Sequence, residues 1–333
     1  MTYSLNKQLI INKYLNDHLD VSSVKSSLTD FYTGKHLIIT GFSGGLGQSL
    51  ATVLMSLAIE NCEISLVGRQ DNIECAWSAL KENNSVSFVS MTELAKLECA
   101  NPIVFHFAGY AQPAKFLKED TALIELNTTL IIKLLALKPQ RFVYSSTTEV
   151  YSGNITRCTE NAPVLMPTDH VRGIYVYSKL LGESLLFKQA PDIAYCYRIA
   201  LATPPWYDPT DDRVLADLIT KAINENSVSL LGGHSSVRSY QYGPLCVLKM
   251  LIATKDEHSA GLYNLSGGEQ LTLGEIAQEI ARLMNVEYLT MATNINLGAP
   301  QVVDVDSSRI LKLLPKHTKN ESLHSVLCAY KND

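Results

Sequence analysis

The sequence predicts an α/β protein with a doubly wound parallel sheet, because short apolar runs alternate with helical stretches between residues 36 and 200. The segments between these runs are long enough for the crossover helices that parallel strands require. A glycine-rich turn follows the first run, and sheets of this kind commonly bind ligands at such a turn. The predicted strands are residues 36–40, 63–68, 85–90, 103–108, 141–146 and 194–200.

The composition is that of a globular protein and excludes several classes of partner. The chain has 333 residues, of which 46% are hydrophobic and 18% charged, and a formal net charge of -5 gives no general attraction to nucleic acid. No apolar run reaches membrane-spanning length, and the first residues do not resemble a signal peptide. Seven scattered cysteines lack the spacing of metal ligands, so we expect reduced thiols, no metal and a cytoplasmic protein.

Three glycines lie between the first predicted strand and an amphipathic helix, in the sequence HLIITGFSGGLGQSLATVL. Gly41 permits a tight turn, Gly44 lets the backbone approach a pyrophosphate, and Gly47 lets the helix pack closely on the strand. The helix N-terminus attracts phosphate groups. A glycine triplet alone is equally typical of an ordinary turn, but the strand before it and the helix after it favour a Rossmann-type dinucleotide site. Its predicted residues are Gly41, Ser43, Gly44, Gly45, Leu46 and Gly47.

The end of the second predicted strand indicates which dinucleotide is bound. Proteins that bind NAD usually place an acidic side chain there, next to the ribose hydroxyl groups. This chain has Gly68 and Arg69 instead. Because a guanidinium can hold a 2′-phosphate through charge-assisted hydrogen bonds, we expect NADP, with NAD as the alternative if Arg69 is only solvated.

Tyr175 and Lys179 are candidates for proton transfer because they are four residues apart, which places them on one face of a helix. A phenol with an ordinary pKa of about 10 is a poor base unless a cation stabilises its phenolate. The Lys179 ammonium could lower the pKa of the phenol and hydrogen-bond the nicotinamide ribose. Thr147 and Glu149 follow the fifth predicted strand and are further candidates. The sequence therefore predicts an enzyme that transfers a hydride.

We divide the chain into three parts. Residues 1–35 form a helical extension, with leucine and isoleucine at roughly helical spacing, which either docks on the body or binds a partner. Residues 36–200 form the Rossmann domain. Residues 201–333 are mainly a substrate-binding lobe that is intercalated with it, because proline and glycine clusters interrupt the strand pattern there. Helices are predicted in this lobe at 212–225, 244–254 and 272–284.

Five segments together resemble the extended short-chain dehydrogenase/reductase family, in its NAD-dependent epimerase/dehydratase group. They are TGFSGGLG, HFAGYAQP, ELNTTL with Asn127, FVYSSTTEVY and YVYSK. The resemblance continues through Arg198, DDRVLADLI, VRSYQY, GLYNLSGGEQLTLGEIA and VVDVDSSRI, which look like landmarks of that group's substrate lobe. The stretch STTEVY looks most similar to UDP-glucuronate decarboxylase and the sugar 4,6-dehydratases.

The resemblance implies a reaction on a nucleotide-linked sugar. Thr147 and Tyr175 would hold the C4 oxygen of the sugar, Tyr175 would take its proton with the help of Lys179, and the C4 hydride would pass to the cofactor. Glu149 would serve as a base or position the substrate, the alternative being a surface carboxylate. A ketone at C4 makes the C5 proton or carboxylate labile, which opens epimerisation, dehydration or decarboxylation.

The resemblance also implies binding residues and an assembly. Phe107, Ala108 and Gly109 would contact the cofactor, and Arg213 and Arg238 the phosphates or acidic group of the substrate. Helices at about 117–135 and 175–188 are apolar on more than one face, and the corresponding helices of the family form a dimer interface. We therefore expect a homodimer.

Departures from the family pattern concentrate in the substrate lobe. The family's Asn-x-Tyr-Gly-Pro after the sixth strand is replaced by residues 201–205, LATPP, which removes an amide that usually touches the nucleotide diphosphate. Gly243 and Pro244 replace an expected aspartate, Ser90 and Met91 replace an acid, and Ser152 replaces a glycine. The substrate is therefore either an unusual nucleotide sugar or a different molecule. Two alternatives stay open: an NADPH-consuming 4-keto-sugar reductase, and a dinucleotide-binding protein without catalysis.

Overall fold

A seven-stranded parallel sheet forms the centre of the molecule. The structure is a computed structural model, and it describes residues 4–69, 76–154, 156–290, 300–302 and 304–331. The strands are β1 His36–Thr40, β2 Glu63–Gly68, β3 Ser85–Ser90, β4 Ile103–His106, β5 Arg141–Thr147, β6 Ala194–Ile199, β7 Leu201–Thr203, β8 Ser227–Leu230, β9 Val237–Arg238, β10 Tyr240–Tyr242, β11 Gly261–Leu265, β12 Leu271–Thr272 and β13 Glu287–Thr290.

The order of the central sheet is β11-β6-β5-β4-β1-β2-β3, and every pair of neighbours is parallel. The predicted fold class is confirmed. The strand order reverses between β1 and β4, and sheets of this kind bind ligands outside the carboxyl ends of the strands at such a point. The remaining strands form three two-stranded sheets outside the central one.

The helices cover both faces of the sheet. They are α1 Leu5–His18, α2 Val21–Tyr32, α3 Gly45–Ser56, α4 Ala76–Ala79, α5 Pro113–Phe116, α6 Asp120–Ile124, α7 Leu130–Leu135, α8 Gly173–Gln189, α9 Val214–Asn224, α10 Gly243–Lys255, α11 Leu273–Met284, α12 Ser308–Leu311 and α13 Leu323–Lys331. A π-helical turn, Glu125–Thr129, joins α6 to α7.

Two buried clusters explain why β1 is apolar along its length. Leu37 and Ile39 pack in the cluster that contains the inner faces of α3 and α10. Ile38, between them, packs in the cluster of α7 and α8 on the other face of the sheet. A parallel strand that is buried on both faces needs a continuous apolar run rather than an alternating one.

The seventh strand of the sheet was not predicted as part of it. The sequence GLYNL, assigned above to the substrate lobe, forms β11 and extends the sheet beyond β6. It is only five residues long and is followed by a glycine-rich turn, so its pattern alone does not distinguish an edge strand from a lobe segment. β4 and β6 also end one or two residues earlier than predicted.

The N-terminal extension consists of two helices that dock on the body. Asp20 lies between α1 and α2 and is the N-cap residue of α2. Its carboxylate accepts a hydrogen bond of 3.2 Å from the Ser23 amide. The Gln8 amide donates to the Thr52 carbonyl oxygen of α3 over 3.1 Å, and the Tyr32 hydroxyl donates to the Leu251 carbonyl oxygen of α10 over 3.1 Å.

A second, smaller core lies in the C-terminal part. It joins α9, α11 and β8, and its centre is Leu218, Val228 and Ile276. No helix within the described ranges is long and apolar enough to cross a membrane. Six cysteines in the described part of the chain are free thiols, and Cys75 lies outside it.

Candidate active site

Two glycines of the turn after β1 have no room for a side chain. Gly41 has a φ of +68°, and a Cβ atom there would lie 2.5 Å from the Ala108 backbone nitrogen. A Cβ atom at Gly47 would lie 2.5 Å from the Gly41 carbonyl oxygen. Both positions therefore require glycine, as the sequence predicted for a tight turn and for close packing of α3.

The same turn leaves the amino end of α3 available to an anion. Gly44 caps the helix without a side-chain hydrogen bond, and the first turn contains no acidic residue. The first-turn amides of Gly45, Leu46 and Gly47 point out of this end, and the exposed Ser43 lies just before it. The residues present therefore fit the pyrophosphate of a dinucleotide.

The loop after β4 forms the opposite wall. The Ala108 amide donates to the Thr40 hydroxyl over 3.1 Å, which ties this loop to the end of β1. A Cβ atom at Gly109 would lie 3.3 Å from the Lys179 Nζ atom. The predicted cofactor residues Phe107, Ala108 and Gly109 thus lie between the glycine turn and the candidate catalytic lysine.

Arg69 lies exposed at the end of β2. Its guanidinium carbon is 6.0 Å from the centre of the Tyr110 ring, in the loop after β4. The side chain is therefore directed across the carboxyl end of the sheet, over the side of the crevice where β2 and β1 end.

Tyr175 and Thr147 are in contact. Tyr175 lies in the first turn of α8 and Thr147 ends β5, and the Thr147 side chain is close enough to influence the ionisation of the Tyr175 phenol. Burial raises the pKa of the Tyr175 phenol well above its usual range, and the negative charge of Glu149 adds to this shift. The Thr147 side chain and the positive charges of Arg172 and Arg213 oppose it.

Lys179 lies on the same helix and is buried. Its Nζ atom donates to the Ser145 carbonyl oxygen over 2.8 Å. Burial lowers the pKa of the ammonium to about 7, and the negative charge of Glu183 opposes this shift. The net shift of the Tyr175 phenol is nevertheless upward, because its burial outweighs the nearby positive charges, so the lowering that spacing suggested for Lys179 stays a prediction.

Two polar networks fix α8 against the sheet. Asn127, in the π-helical turn, donates to the Ser178 hydroxyl over 3.0 Å and accepts from the Tyr144 hydroxyl over 3.2 Å. The Glu183 carboxylate accepts from the Arg198 Nε and Nη2 atoms over 2.9 and 2.7 Å. The sequence singled out Asn127 and Arg198 but not Glu183, although it lies one helical turn after Lys179.

Glu149 is held by an arginine that the sequence analysis did not identify. The Arg172 Nη1 atom donates to both carboxylate oxygens, over 2.7 and 2.9 Å. The available signal was position, since Arg172 precedes Tyr175 by one helical turn. Phe116 lies beside both Arg172 and Tyr175. Its ring stacks on that of Tyr175 with centroids 4.4 Å apart, and the Arg172 guanidinium carbon is 5.1 Å from the centre of the Phe116 ring.

The two predicted substrate arginines differ in how they are held. Arg213 donates from Nη2 to Asp211 over 2.6 Å and from Nη1 to the Ala202 carbonyl oxygen over 3.3 Å. Arg238 is partly buried and donates to its neighbour, the Val237 carbonyl oxygen, over 2.8 Å. Burial lowers the pKa of the Arg238 guanidinium, and the nearby Glu149 carboxylate is among the groups that oppose this shift.

The departures from the family pattern have structural counterparts. Residues 201–203 form β7, which pairs with β10. Leu201, which replaces the asparagine of the family pattern, packs against the second core. Gly243 begins α10 directly beneath β7, where a Cβ atom would lie 2.2 Å from the Thr203 carbonyl oxygen. An aspartate at this position would not fit.

Comparison with protein families decides the classification. The model of the NAD dependent epimerase/dehydratase family matches residues 37–265. The chain belongs to this family. The match begins inside β1 and ends with β11, so it covers the whole central sheet and the candidate site.

Curated relatives of this family member are distant. UDP-glucuronic acid decarboxylase 1 of Danio rerio is 24% identical over 263 residues, which are 75% of this chain and 61% of the relative. UDP-glucuronic acid decarboxylase 2 of Arabidopsis thaliana is 23% identical over 272 residues, which are 77% of this chain and 59% of that one. The chain spans about three fifths of the length of the curated relatives it matches.

Solved structures share the fold. An epimerase of Methanothermobacter thermautotrophicus superimposes with a TM-score of 0.73 at 18% identity, covering 92% of this chain and 94% of that one. The dTDP-glucose 4,6-dehydratase DesIV of Streptomyces venezuelae, described with NAD bound, gives a TM-score of 0.73 at 16% identity, covering 90% and 97%. UDP-glucuronic acid 4-epimerase of Bacillus cereus, in complex with UDP-glucuronic acid and NAD, gives 0.70 at 19%, covering 88% and 97%.

Proposed function

We propose that this chain is an NAD(P)-dependent enzyme that oxidises C4 of a nucleotide-linked sugar, with epimerisation, dehydration or decarboxylation to follow. The observation that carries the proposal is that Thr147 and Tyr175 lie side by side, one helical turn from Lys179, whose Nζ atom lies beside Gly109 in the candidate dinucleotide site. An acceptor for the hydroxyl proton and an acceptor for the hydride on the adjoining carbon would thus lie at the same alcohol group of the substrate. The dinucleotide, when bound, supplies the hydride acceptor.

The hydroxyl groups of Tyr175 and Thr147 would have different roles toward the substrate. Tyr175 would accept the proton of the C4 hydroxyl, and Thr147 would orient that hydroxyl by hydrogen bonding. Because burial raises the pKa of the phenol, its deprotonation depends on the nearby positive charges. Lys179, with a pKa of about 7, would donate a hydrogen bond to the ribose of the cofactor and exchange protons near neutral pH.

The arginines of the lobe would hold the anionic part of the substrate. Arg238 is the better candidate, because in the described part of the chain its guanidinium donates to the Val237 carbonyl oxygen from Nη1, and its Nε and Nη2 atoms are further donors for a phosphate. Arg213 is already bound to Asp211 on two sides, so it would contribute charge more than direct hydrogen bonds. Glu149, which is paired with Arg172, would position the substrate rather than act as a free base.

Arg69 supports NADP as the cofactor, and the NAD present in solved relatives supports NAD. We propose NADP, because an exposed guanidinium at the end of β2 would meet the 2′-phosphate. NAD is the alternative, in which Arg69 is a solvated side chain near Tyr110.

A homodimer is proposed from the surface of α6, α7 and α8. Four large aliphatic side chains there are 43% to 50% exposed, namely Ile124, Ile132, Ile174 and Leu181. Apolar side chains grouped on neighbouring helices are typical of an interface.

A 4-keto-sugar reductase that consumes NADPH is the second candidate. Arg69 favours it, because its guanidinium would bind the 2′-phosphate of NADPH. To separate the two, the purified protein is denatured, any released dinucleotide is identified by mass spectrometry, and the native protein is assayed with NADPH and a panel of 4-keto nucleotide sugars. Released NAD or NADP without net NADPH consumption supports the internal redox cycle. An empty protein that consumes NADPH stoichiometrically supports the reductase. If neither result is obtained, both proposals are contradicted.

A further inference from the structure

Arg172, Glu149, Phe116 and Tyr175 form a continuous contact chain in the candidate site. The guanidinium of Arg172 bridges both oxygens of Glu149 and lies over the Phe116 ring, and the Phe116 ring lies parallel to that of Tyr175, with an angle of 9° between them. These residues come from α5, the turn after β5 and α8. Their convergence therefore depends on tertiary structure rather than on local sequence.

The pair is shielded from solvent. The Arg172 side chain is 4% exposed and that of Glu149 is 21% exposed. Removing one partner of such a pair leaves an uncompensated charge in a poorly solvated place. A carboxylate on the surface is solvated by water and needs no such partner, so the Arg172–Glu149 ion pair argues against a surface role for Glu149.

We propose that Arg172 is a positioning residue, which neutralises Glu149 beside Tyr175 and fixes the Tyr175 ring through Phe116. The inference rests on the proposed function, in which Tyr175 takes a proton from the substrate. A phenolate next to an unpaired carboxylate would place two negative charges together. With Arg172 bound to Glu149, the phenolate would be the only uncompensated negative charge of this contact chain.

Other charged groups around Tyr175 do not replace this contribution. Arg213 also favours the phenolate, but Asp211 binds its guanidinium from two atoms. The pKa of Lys179 is lowered by burial, so this residue is only partly charged near neutral pH. The ionisable groups that surround the contact chain are His170, Arg172 and Lys179 in or before α8, Glu149 after β5, Asp211 and Arg213 before α9, Arg238 on β9 and Tyr240 on β10.

A purely structural role for Arg172 would fix the loop without affecting the ionisation of Tyr175. The two roles are separated by a measurement on the phenol itself. Tyr175 is replaced by 3,5-difluorotyrosine, whose phenol is intrinsically more acidic, so that its ionisation falls at a pH at which the protein is folded. Its 19F signal is then titrated by NMR in the otherwise wild-type protein and in each variant. This titration requires no sugar.

The charge-neutralisation role predicts three results. In Arg172→Gln the ionisation midpoint of Tyr175 should rise by about one pH unit, as expected when a compensating charge nearby is lost. In Glu149→Gln it should fall, because the opposing negative charge is gone. In the double variant it should return close to the wild-type value, and Arg172→Lys, which keeps the charge, should stay near that value too.

An unchanged midpoint in Glu149→Gln would overturn the proposal even if Arg172→Gln does not fold. Where Arg172→Gln folds, a double variant that titrates like it would also overturn the proposal. If the midpoints move as expected but no nucleotide sugar is converted, the proposed function fails and the assignment of Arg172 remains. If sugars are converted and the midpoints do not move, the assignment of Arg172 fails alone.

Discussion

Pro204 lies against Gly45, so that a Cβ atom added at Gly45 would come within 3.3 Å of both the Cα and the Cβ atom of the proline. The contact joins the loop after β7 to the first residue of α3, at the end where a pyrophosphate would bind. Tyr330 of α13 holds the same loop, because its hydroxyl donates to the Pro204 carbonyl oxygen over 2.9 Å. The altered LATPP segment is thus part of the wall of the dinucleotide site.

Gly45→Ala is therefore expected to weaken dinucleotide binding about tenfold, since inserting a methyl group into a packed contact costs about 1–3 kcal/mol. Binding is measured by titration calorimetry. Gly34→Ala is the matched control: its φ is +72°, but no atom lies within 4 Å of the added Cβ atom. It should lower stability and leave the affinity unchanged. Equal affinity in Gly45→Ala and wild type would contradict the role given to this contact.

The fold and the centre of the site could be predicted because they depend on local patterns. Strands buried on both faces need apolar runs, as in HLIIT, and Gly41 has a backbone conformation that favours glycine. The spacing of Tyr175 and Lys179, on the helix predicted after the fifth strand, indicates that they share one helix face. Such features are visible in a single sequence because each one is fixed by residues within a few positions.

The remaining features depend on contacts between distant segments. Glu149 and Arg172 are separated by 23 positions, and Gly45 and Pro204 by 159 positions (204 minus 45). The ionisation of Lys179 depends on how deeply α8 is buried, which no spacing reveals. β11 was missed as a sheet strand because only its pairing with β6 distinguishes it from a lobe segment.

Tyr175→Phe should abolish turnover while dinucleotide binding is retained. The ring and its stacking on Phe116 remain, but the hydroxyl that contacts Thr147 is lost. General acid–base catalysis contributes about 10²–10⁴-fold to a rate, so a loss of this order is expected in single-turnover measurements of cofactor reduction. A variant that keeps a rate close to wild type would exclude Tyr175 as the proton acceptor.

Arg69→Ala should weaken the binding of NADP by about tenfold or more, because a hydrogen bond to a charged group contributes about 1.5–3 kcal/mol. The affinity for NAD, which lacks the 2′-phosphate, is the internal control and should change little. Both dissociation constants are measured by fluorescence titration. If the ratio of the two constants is the same in variant and wild type, Arg69 does not select the cofactor.

Leu181→Glu should separate the proposed dimer into monomers. The side chain is half exposed on α8, and a carboxylate there would lose its hydration in a buried interface. Light scattering coupled to size exclusion measures the mass. Leu9→Glu, which changes an exposed leucine of α1, is the control and should leave the mass unchanged. A monomeric wild-type protein at micromolar concentration would remove the dimer proposal.

Lys179 gives a stability prediction whose sign follows from its pKa, which burial lowers from 10.5 to about 7. Between these values the unfolded chain binds more protons at this residue than the folded protein does. The free energy of unfolding should therefore rise with pH through this window, by at most about 1.4 kcal/mol per pH unit. Lys179→Met lacks this contribution. In urea unfolding, the free energy of unfolding of wild type should therefore increase relative to that of the variant between about pH 7 and about pH 9. A constant difference would mean that the folded protein keeps this lysine fully protonated, and that a neutral amine does not form beside Tyr175.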